Sequence, residues 1–513
     1  MNQEHQELSC AEIVELIQDK LPALFFVFSR GRTEILAQDL SREWDFLTPA
    51  EKLTAAAIVS AAESEFAGSF SGSSWQTLKR LLSQGIAYHH AGMLPPVKYL
   101  VETLYSQRLV WVVFCTETFA AGVNFPAASA VFDSTRKWDG HDFRILQNRE
   151  FYQMAGRAGR RGFDQAGHAI IRIDSRFPEQ TGFFDDRQIE PVSGRLTISP
   201  NTVLSLLRYK TDEEIERFLQ DNFRIYQINA REQELSDEIG ELNEQMNGLK
   251  ESLCPYCLTL KCPVERAKIA KKLKQGRQGK KKREQLKSQL TANTARDCPE
   301  PNKCKSGAEE LRKASERLST LVQQYQKTTK LSGGTVKEYE EVRRILEKLG
   351  YLKDRQFYPR GLFALELHVQ EIFVTELVFS GVFEEADPAE VAAILAGVEF
   401  TSGRNTGASW LELTALQEVS QMRWELLNMG VPEQFCQWSD IPSALAYQWY
   451  QGTGFNELLE MTSMQPGDLF SIFRREIDLL RQIERAAGEN QTLAEKAKTI
   501  RNRMDREEVA HCF

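Results

Sequence analysis

The chain has 513 residues, 42% of them hydrophobic and 27% charged, with 31 Gly and 17 Pro; this is a globular composition, long enough for about three or four domains, since single cores stop growing near ~250–300 residues. The net charge of −8 argues against a simple nucleic-acid coat protein, and the polar opening MNQEHQELSC is no secretory signal. The longest apolar run, LPALFFVF at 21–28, is too short to span a membrane, so a cytoplasmic protein without a membrane partner is expected.

Residues 21–29 predict a buried strand and 32–47 a helix, followed by helices around 50–65 and 75–84. GIAYHHAG at 85–92 predicts a strand leaving into a turn, and PPVKYLVETLYSQ opens on prolines that suit a first helical turn. LVWVVFCT at 109–116, ASAVFDS at 128–134 and GHAIIRID at 167–174 predict three more strands. Short apolar strands alternating with helices make a parallel sheet covered on both faces, with ligands beyond the carboxyl ends of its strands. TETFAAGVNFPA (116–127) is expected there. Asp139-Gly140, inside FDSTRKWDGHDFRIL (132–146), signals a β-hairpin.

Residues 195–225 predict small helices of a compact helical domain. Leu235, Ile239, Leu242, Met246, Leu249 and Leu253 then form a heptad seam, and Leu311, Ala314, Leu318, Leu321 and Tyr325 form a second. Two narrow seams joined by a compact tip predict an antiparallel coiled-coil arm. LSGGT at 331–335 breaks the helix, and residues 362–510 are mostly helical, with Trp410, Trp424, Trp438 and Trp449 expected as packing anchors.

The arm tip carries two chemical signals. Five of the nine cysteines, Cys254, Cys257, Cys262, Cys298 and Cys304, fall within it. In a cytosolic chain such clustering points to metal rather than disulfides. Cys254, Cys257, Cys298 and Cys304 suit a structural Zn²⁺, with Cys262 as a substitute for one of the last two; an iron–sulfur cluster or free thiols are the alternatives. Residues 267–287 hold ten Lys and Arg against one Glu. Such a run is either a solvated segment or a nucleic-acid contact, through Lys280, Lys281, Lys282 and Arg283 among others.

FYQMAGRAGRRG at 151–162 sets Arg157, Arg160 and Arg161 among glycines. An arginine holds a phosphate by a planar fork. Three residues apart, Arg157 and Arg160 are expected on one face of a helix and within reach of the same group, the neighbouring glycines keeping side chains from blocking that approach, with Gln153 one turn earlier as a polar positioner and Arg161 off that face. LPALFFVFSR resembles motif IV, TETFAAGVNFPA motif V, QMAGRAGRRGFD motif VI and YHHAGMLP the HHxGxLP segment of superfamily 2 DExH-box RNA helicases of the superkiller and exosome-cofactor type. GYLKDRQFYPRG and YQWYQGTGFNELLEMTSMQPGDLFSIFRREIDLLRQI extend the resemblance to a winged-helix-like part and to that family's carboxyl-terminal helical (DSHCT) bundle.

The resemblance implies an α/β RecA-like parallel-sheet domain followed by mainly α domains. These are a second RecA-like lobe at 1–190, a winged-helix-like domain at 191–226 and 331–361, the arm at 227–330 and a helical bundle at 362–513. It also implies that Arg157 and Arg160 are arginine fingers on the γ-phosphate of ATP·Mg, with Gln153 orienting the nucleotide or the attacking water. Gly122, Asn124 and Gly156 would line the nucleotide side. Ser29, Arg30 and Thr116 would meet the nucleic-acid backbone, and the 132–146 hairpin occupies the place of a strand-separating element, with a plain surface hairpin as the alternative.

A helicase of this class also needs a first lobe with a GxxxxGK[ST] loop and a DExH strand end. The one Gly-Lys pair, Gly279-Lys280, lies in the basic run without a strand or Ser/Thr, and TDEEIERF at 211–218 follows no apolar strand. The expectation is therefore the carboxyl-terminal part of an ATP-dependent helicase acting on RNA, or else DNA, with the first lobe supplied by another chain or another portion of the same gene. The rival is a non-catalytic nucleic-acid-binding or scaffold protein that keeps the fold.

Overall fold

A computed structural model describes residues 8–119, 127–159, 164–173, 190–253, 262–274, 279–292, 303–401 and 411–510. They fall into two compact units, one built from residues 1–191 and 345–513 and the other from 192–344.

The first unit opens with a five-stranded parallel sheet. Its strands are β1 (Ala23–Phe26), β2 (Ile86–His89), β3 (Val112–Cys115), β4 (Ser129–Phe132) and, after the hairpin strands β5 (Arg136–Trp138) and β6 (Phe143–Ile145), β7 (His168–Ile171). The order is β2-β3-β1-β4-β7, and all five strands start level, Ile86, Val112, Ala23, Ser129 and His168 standing abreast. β1 to β4 are buried at every residue, as continuous apolar runs covered on both faces must be, while β7 at the edge is half-buried. The helix after β1 is Arg30–Leu40 rather than 32–47. Thr48 and Glu51 form a capping box that starts a separate helix at Pro49–Glu65, which leaves 41–48 to make the turn.

The hairpin is present with its turn displaced by one residue. Asp139 N donates to Asp142 O at 3.1 Å, and the Asp139 carboxylate accepts from the amides of His141 and Asp142, each at 2.9 Å. The side chain thereby closes an Asx-type turn centred on Gly140-His141, with Gly140 at φ +106°.

Beyond residue 345 this unit is mostly helical among the described residues, with a ribbon of two strands, β8 (Leu352–Lys353) and β9 (Gln356–Phe357). Trp449 is fully buried: its indole donates to Met504 O at 2.8 Å, it stacks on Phe473, and the Arg506 guanidinium lies 3.5 Å from its ring centre. The Trp438 indole donates to Ile394 O. Trp424 is no anchor, being 65% exposed; helix Thr414–Asn428 buries Ala415, Leu416, Val419 and Leu426, and position 424 lies off that face. Trp410 lies outside the described residues.

Helix Pro466–Ala486 begins against the turn after β2. Gly467 N donates to Gly92 O at 2.9 Å, and a Cβ at Gly467 would stand 2.4 Å from Ala91 O and 2.7 Å from Met93 O. Only glycine admits that approach. Arg30 reaches across to Gln465 at 3.0 Å and to Asp468 at 2.7 Å, so the α/β part and the helical part are joined by backbone contact as well as by side chains.

In the second unit, helices Phe223–Ser252 and Lys303–Ser332 pack through Leu235, Leu242 and Leu321, flanked by Ile239, Ala314, Leu318 and Tyr325. They run antiparallel: Thr329 donates to Glu232, Arg317 faces Glu238, and a side chain at Gly307 would meet Leu253. At their far end helices Pro263–Lys274 and Lys280–Ala292 are tied by Arg266, which donates to Leu290 O at 2.7 Å. Residues 191–226 contribute helices Pro200–Tyr209 and Asp212–Gln220. Residues 331–344 contribute most of helix Gly334–Lys348.

Candidate nucleotide and nucleic-acid site

The candidate residues separate between the two ends of the sheet. Ser29 is exposed just past β1, at the amino end of helix Arg30–Leu40. Thr116 follows β3, its hydroxyl 2.9 Å from that of Thr118. Both therefore stand at the carboxyl edge. Arg30, beside them, is turned to Gln465 and Asp468.

The motif VI segment lies elsewhere. Leu146 N donates to Thr135 O beyond the carboxyl end of β4, Phe151 packs on Phe132 with ring centres 4.7 Å apart, and Ala127 N donates to Arg157 O at 2.9 Å. Ala127 precedes β4. Helix Asn148–Ala155 thus runs back along β4, with Gln153 exposed near its end, and Arg157 emerges toward the amino edge. Gly122 and Asn124 lie outside the described residues.

Arg157 does not lie on the helix. The helix ends at Ala155 with Gly156 as its cap; Arg157 sits in the following turn, and Ala158 forms a parallel bridge with Ala127. Gly159 takes φ +96° and donates to Ala127 O at 2.8 Å, and a Cβ on Gly167 would stand 2.3 Å from Ala158 O. Both glycines are required by this backbone pairing rather than to clear a path for a phosphate. Arg160 and Arg161 lie outside the described residues.

Sequence reasoning missed Glu150. It accepts from Arg144 through both oxygens, at 2.7 and 2.8 Å, from Lys137 at 2.8 Å and from Gln147 N at 2.8 Å. Burial pushes its pKa up, but the hydrogen bonds from Arg144, Lys137 and Gln147 N outweigh it and bring the value from 4.5 to about 2. The carboxylate's contribution is thus complete above pH 4.5 and fades as pH falls toward 2. Its one local signature was the Gln147-x-x-Glu150 spacing of a capping box.

At the tip, Lys282 and Arg283 are exposed in the first turn of helix Lys280–Ala292; the side chains of Lys280 and Lys281 lie outside the described residues. Cations at a helix amino end oppose the macrodipole, so Lys282 and Arg283 gain nothing from the helix they begin. Neutralising Lys280, Lys281, Lys282 and Arg283 together is expected to weaken nucleic-acid binding and flatten the slope of log K against log salt, by about one unit for each phosphate that a cation no longer neutralises. An unchanged slope in a salt titration would assign the run to solvation. Cys254, Cys257, Cys298 and the Cys304 side chain lie outside the described residues, and Cys262 is buried. Among the described residues no three metal-binding side chains gather, and no helix is long and apolar enough to cross a membrane.

Residues 56–162 match the helicase conserved C-terminal domain, and residues 354–511 match the DSHCT (NUC185) domain. In these two domains the chain is similar to the superkiller-type superfamily 2 helicases. Superkiller complex protein 2 of Homo sapiens is 36% identical over 236 residues, 45% of this chain and 19% of that protein. Exosome RNA helicase MTR4 of Homo sapiens is 32% identical over 285 residues, 52% of this chain and 26% of the relative. The DExH-box ATP-dependent RNA helicase DExH11 of Arabidopsis thaliana reaches 41% over 162 residues, 31% of this chain and 12% of its own length. The matched stretch is thus about a quarter or less of each of these three proteins. The sheet with its hairpin and Arg157 turn falls largely in the helicase C-terminal match, and Trp449 and Glu476 fall in the DSHCT match.

Proposed function

We propose that this chain supplies the second RecA-like lobe and the helical carboxyl-terminal domain of an ATP-dependent RNA helicase. The observation that carries this reading is the Gln153–Arg157 segment: a stiff short helix leads into a turn whose backbone is pinned to Ala127, presenting an arginine at a fixed place. Arg157 and Arg160 would stabilise charge on the γ-phosphate of ATP·Mg, and Gln153 would orient the nucleotide or the attacking water. Ser29 and Thr116 at the opposite edge would contact the RNA backbone. The hairpin carries Trp138 and the exposed Phe143 with ring centres 5.3 Å apart, a surface on which a base of the strand being opened can stack.

The nucleotide site needs a lobe that cradles the β- and γ-phosphates and holds Mg²⁺, from another chain or another part of a longer protein. This chain alone is expected to show no ATP hydrolysis above background, and addition of a matching first lobe should bring RNA-stimulated hydrolysis. DNA stimulating as well as RNA would move the substrate to DNA, and a reconstituted enzyme with no hydrolysis would favour the scaffold reading. The arm tip is proposed to hold one structural Zn²⁺ through Cys254, Cys257, Cys298 and Cys304. Metal analysis should give about one equivalent, lost in Cys254→Ser; no metal in reduced protein with freely titratable thiols would reject it.

A further inference from the structure

Lys137, on hairpin strand β5, has its ammonium almost buried between two carboxylates. Glu117 Oε2, just past β3, is 2.6 Å away, and Glu150 Oε1, in the first turn of helix Asn148–Ala155, is 2.8 Å away. Arg144, which faces Lys137 across the hairpin, holds the same Glu150 by a bidentate fork. The amide of Gln147 also donates to Glu150. The next two amides, Asn148 N and Arg149 N, donate to Glu190 at 2.7 and 2.9 Å.

The free donors at a helix start are ordinarily satisfied by local caps. Here one of the satisfying carboxylates is also held by two cations of the hairpin. A displacement of β5 or β6 must therefore either break charge-assisted bonds or carry the helix along. That helix has eight residues, too short to bend without losing its few internal bonds, and it is backed by Phe151 on Phe132. Its far end is the Arg157 turn.

We propose that Lys137 is a positioning residue that locks the hairpin to the helix leading to Arg157, so that force on the hairpin from an opening nucleic-acid strand reaches the nucleotide-facing arginine. This rests on the reading above, in which the hairpin meets the nucleic acid and Arg157 the nucleotide. Glu117 extends the link to the end of β3, so one ammonium joins the hairpin, the β3 exit and the arginine-bearing helix.

The test is amide hydrogen exchange on the full chain without ligand. Lys137→Met keeps the apolar stem and removes the charge; it should speed exchange at 151–156 by about tenfold or more while leaving β1 and β3 unchanged, and Lys137→Arg should restore protection. Phe143→Ala, at the exposed hairpin tip, should speed exchange at 151–156 in the wild-type background and have no such effect in the Lys137→Met background. Unchanged exchange at 151–156 in Lys137→Met, or equal transmission from Phe143→Ala in both backgrounds, would overturn the link. A separate arm adds a forked RNA duplex to the wild-type chain. Slowed exchange at 136–145 supports the proposed force. No slowing there overturns the functional reading and the force with it, while the ligand-free exchange alone decides the mechanical link.

Discussion

Arg157→Ala, in an enzyme rebuilt from this chain and a first lobe, is expected to lower kcat for ATP hydrolysis by on the order of 10³-fold, about 4 kcal/mol in the transition state. The expectation depends on how the residue is held. Its amide donates to Met154 O and its carbonyl accepts from Ala127 N, so alanine keeps the backbone of the turn and removes only the guanidinium. Gly159 and Gly167 pack the adjoining backbones together, which leaves little freedom for a neighbouring residue to move in and compensate. Arg157→Lys should recover only part of the rate, because a single ammonium cannot reproduce the planar fork. Arg161→Ala is expected to cost much less than Arg157→Ala. Steady-state kinetics with saturating RNA decides the matter; a loss below tenfold for Arg157→Ala would reject the phosphate role.

The second large effect is a gain. Glu476→Leu is expected to stabilise the protein by about 1–3 kcal/mol at pH 7, the cost of leaving a buried polar group unmet. Glu476 is 1% exposed on helix Pro466–Ala486, among Ile472, Phe473, Ile477, Leu479 and Leu480. Neither of its oxygens has a hydrogen-bond partner among the described residues, and burial pushes its pKa well above 4.5. The native state therefore keeps a proton that the unfolded chain releases above pH 4.5, so native stability declines as pH rises from there. The gain from leucine should accordingly be larger at pH 7 than at pH 4 in urea unfolding. Glu476→Gln should remove the pH dependence while recovering less stability, since an unmet polar group remains. A loss of stability in Glu476→Leu would mean that the carboxyl has a partner.

The α/β class was legible because β1 to β4 are short and buried on both faces, so local hydrophobicity alone marks them. Where the outcome depended on which way a residue faced, composition was a poor guide. Trp424 was expected inside on the strength of being a tryptophan, although the spacing of Ala415, Leu416, Val419 and Leu426 already pointed the other way. At the candidate site, the arginine-glycine pattern was visible, but its backbone was not. The helix through Arg157 stops because Ala158 pairs with Ala127, and no local propensity announces a partner so far back in the chain. Lys137, Glu150, Glu117 and Glu190 come from four separate segments, and ordinary charged residues at such separations leave no spacing to notice. The hairpin was read correctly to within one residue, and the shift came from a single carboxylate closing the turn on itself.

Helices Phe223–Ser252 and Lys303–Ser332 have the same length, 30 residues each, and meet through seams that repeat every seven. Excising seven residues from one helix alone would set the apolar positions of one flank against the wrong layers of the other. Excising seven from each, at facing places, would restore every layer and draw the far end in by about 10 Å, at 1.5 Å per residue. The pair therefore works as a ruler graduated in heptads: its reach can be lengthened or shortened in fixed steps while the residues at both ends, the basic tip included, keep their own local structure.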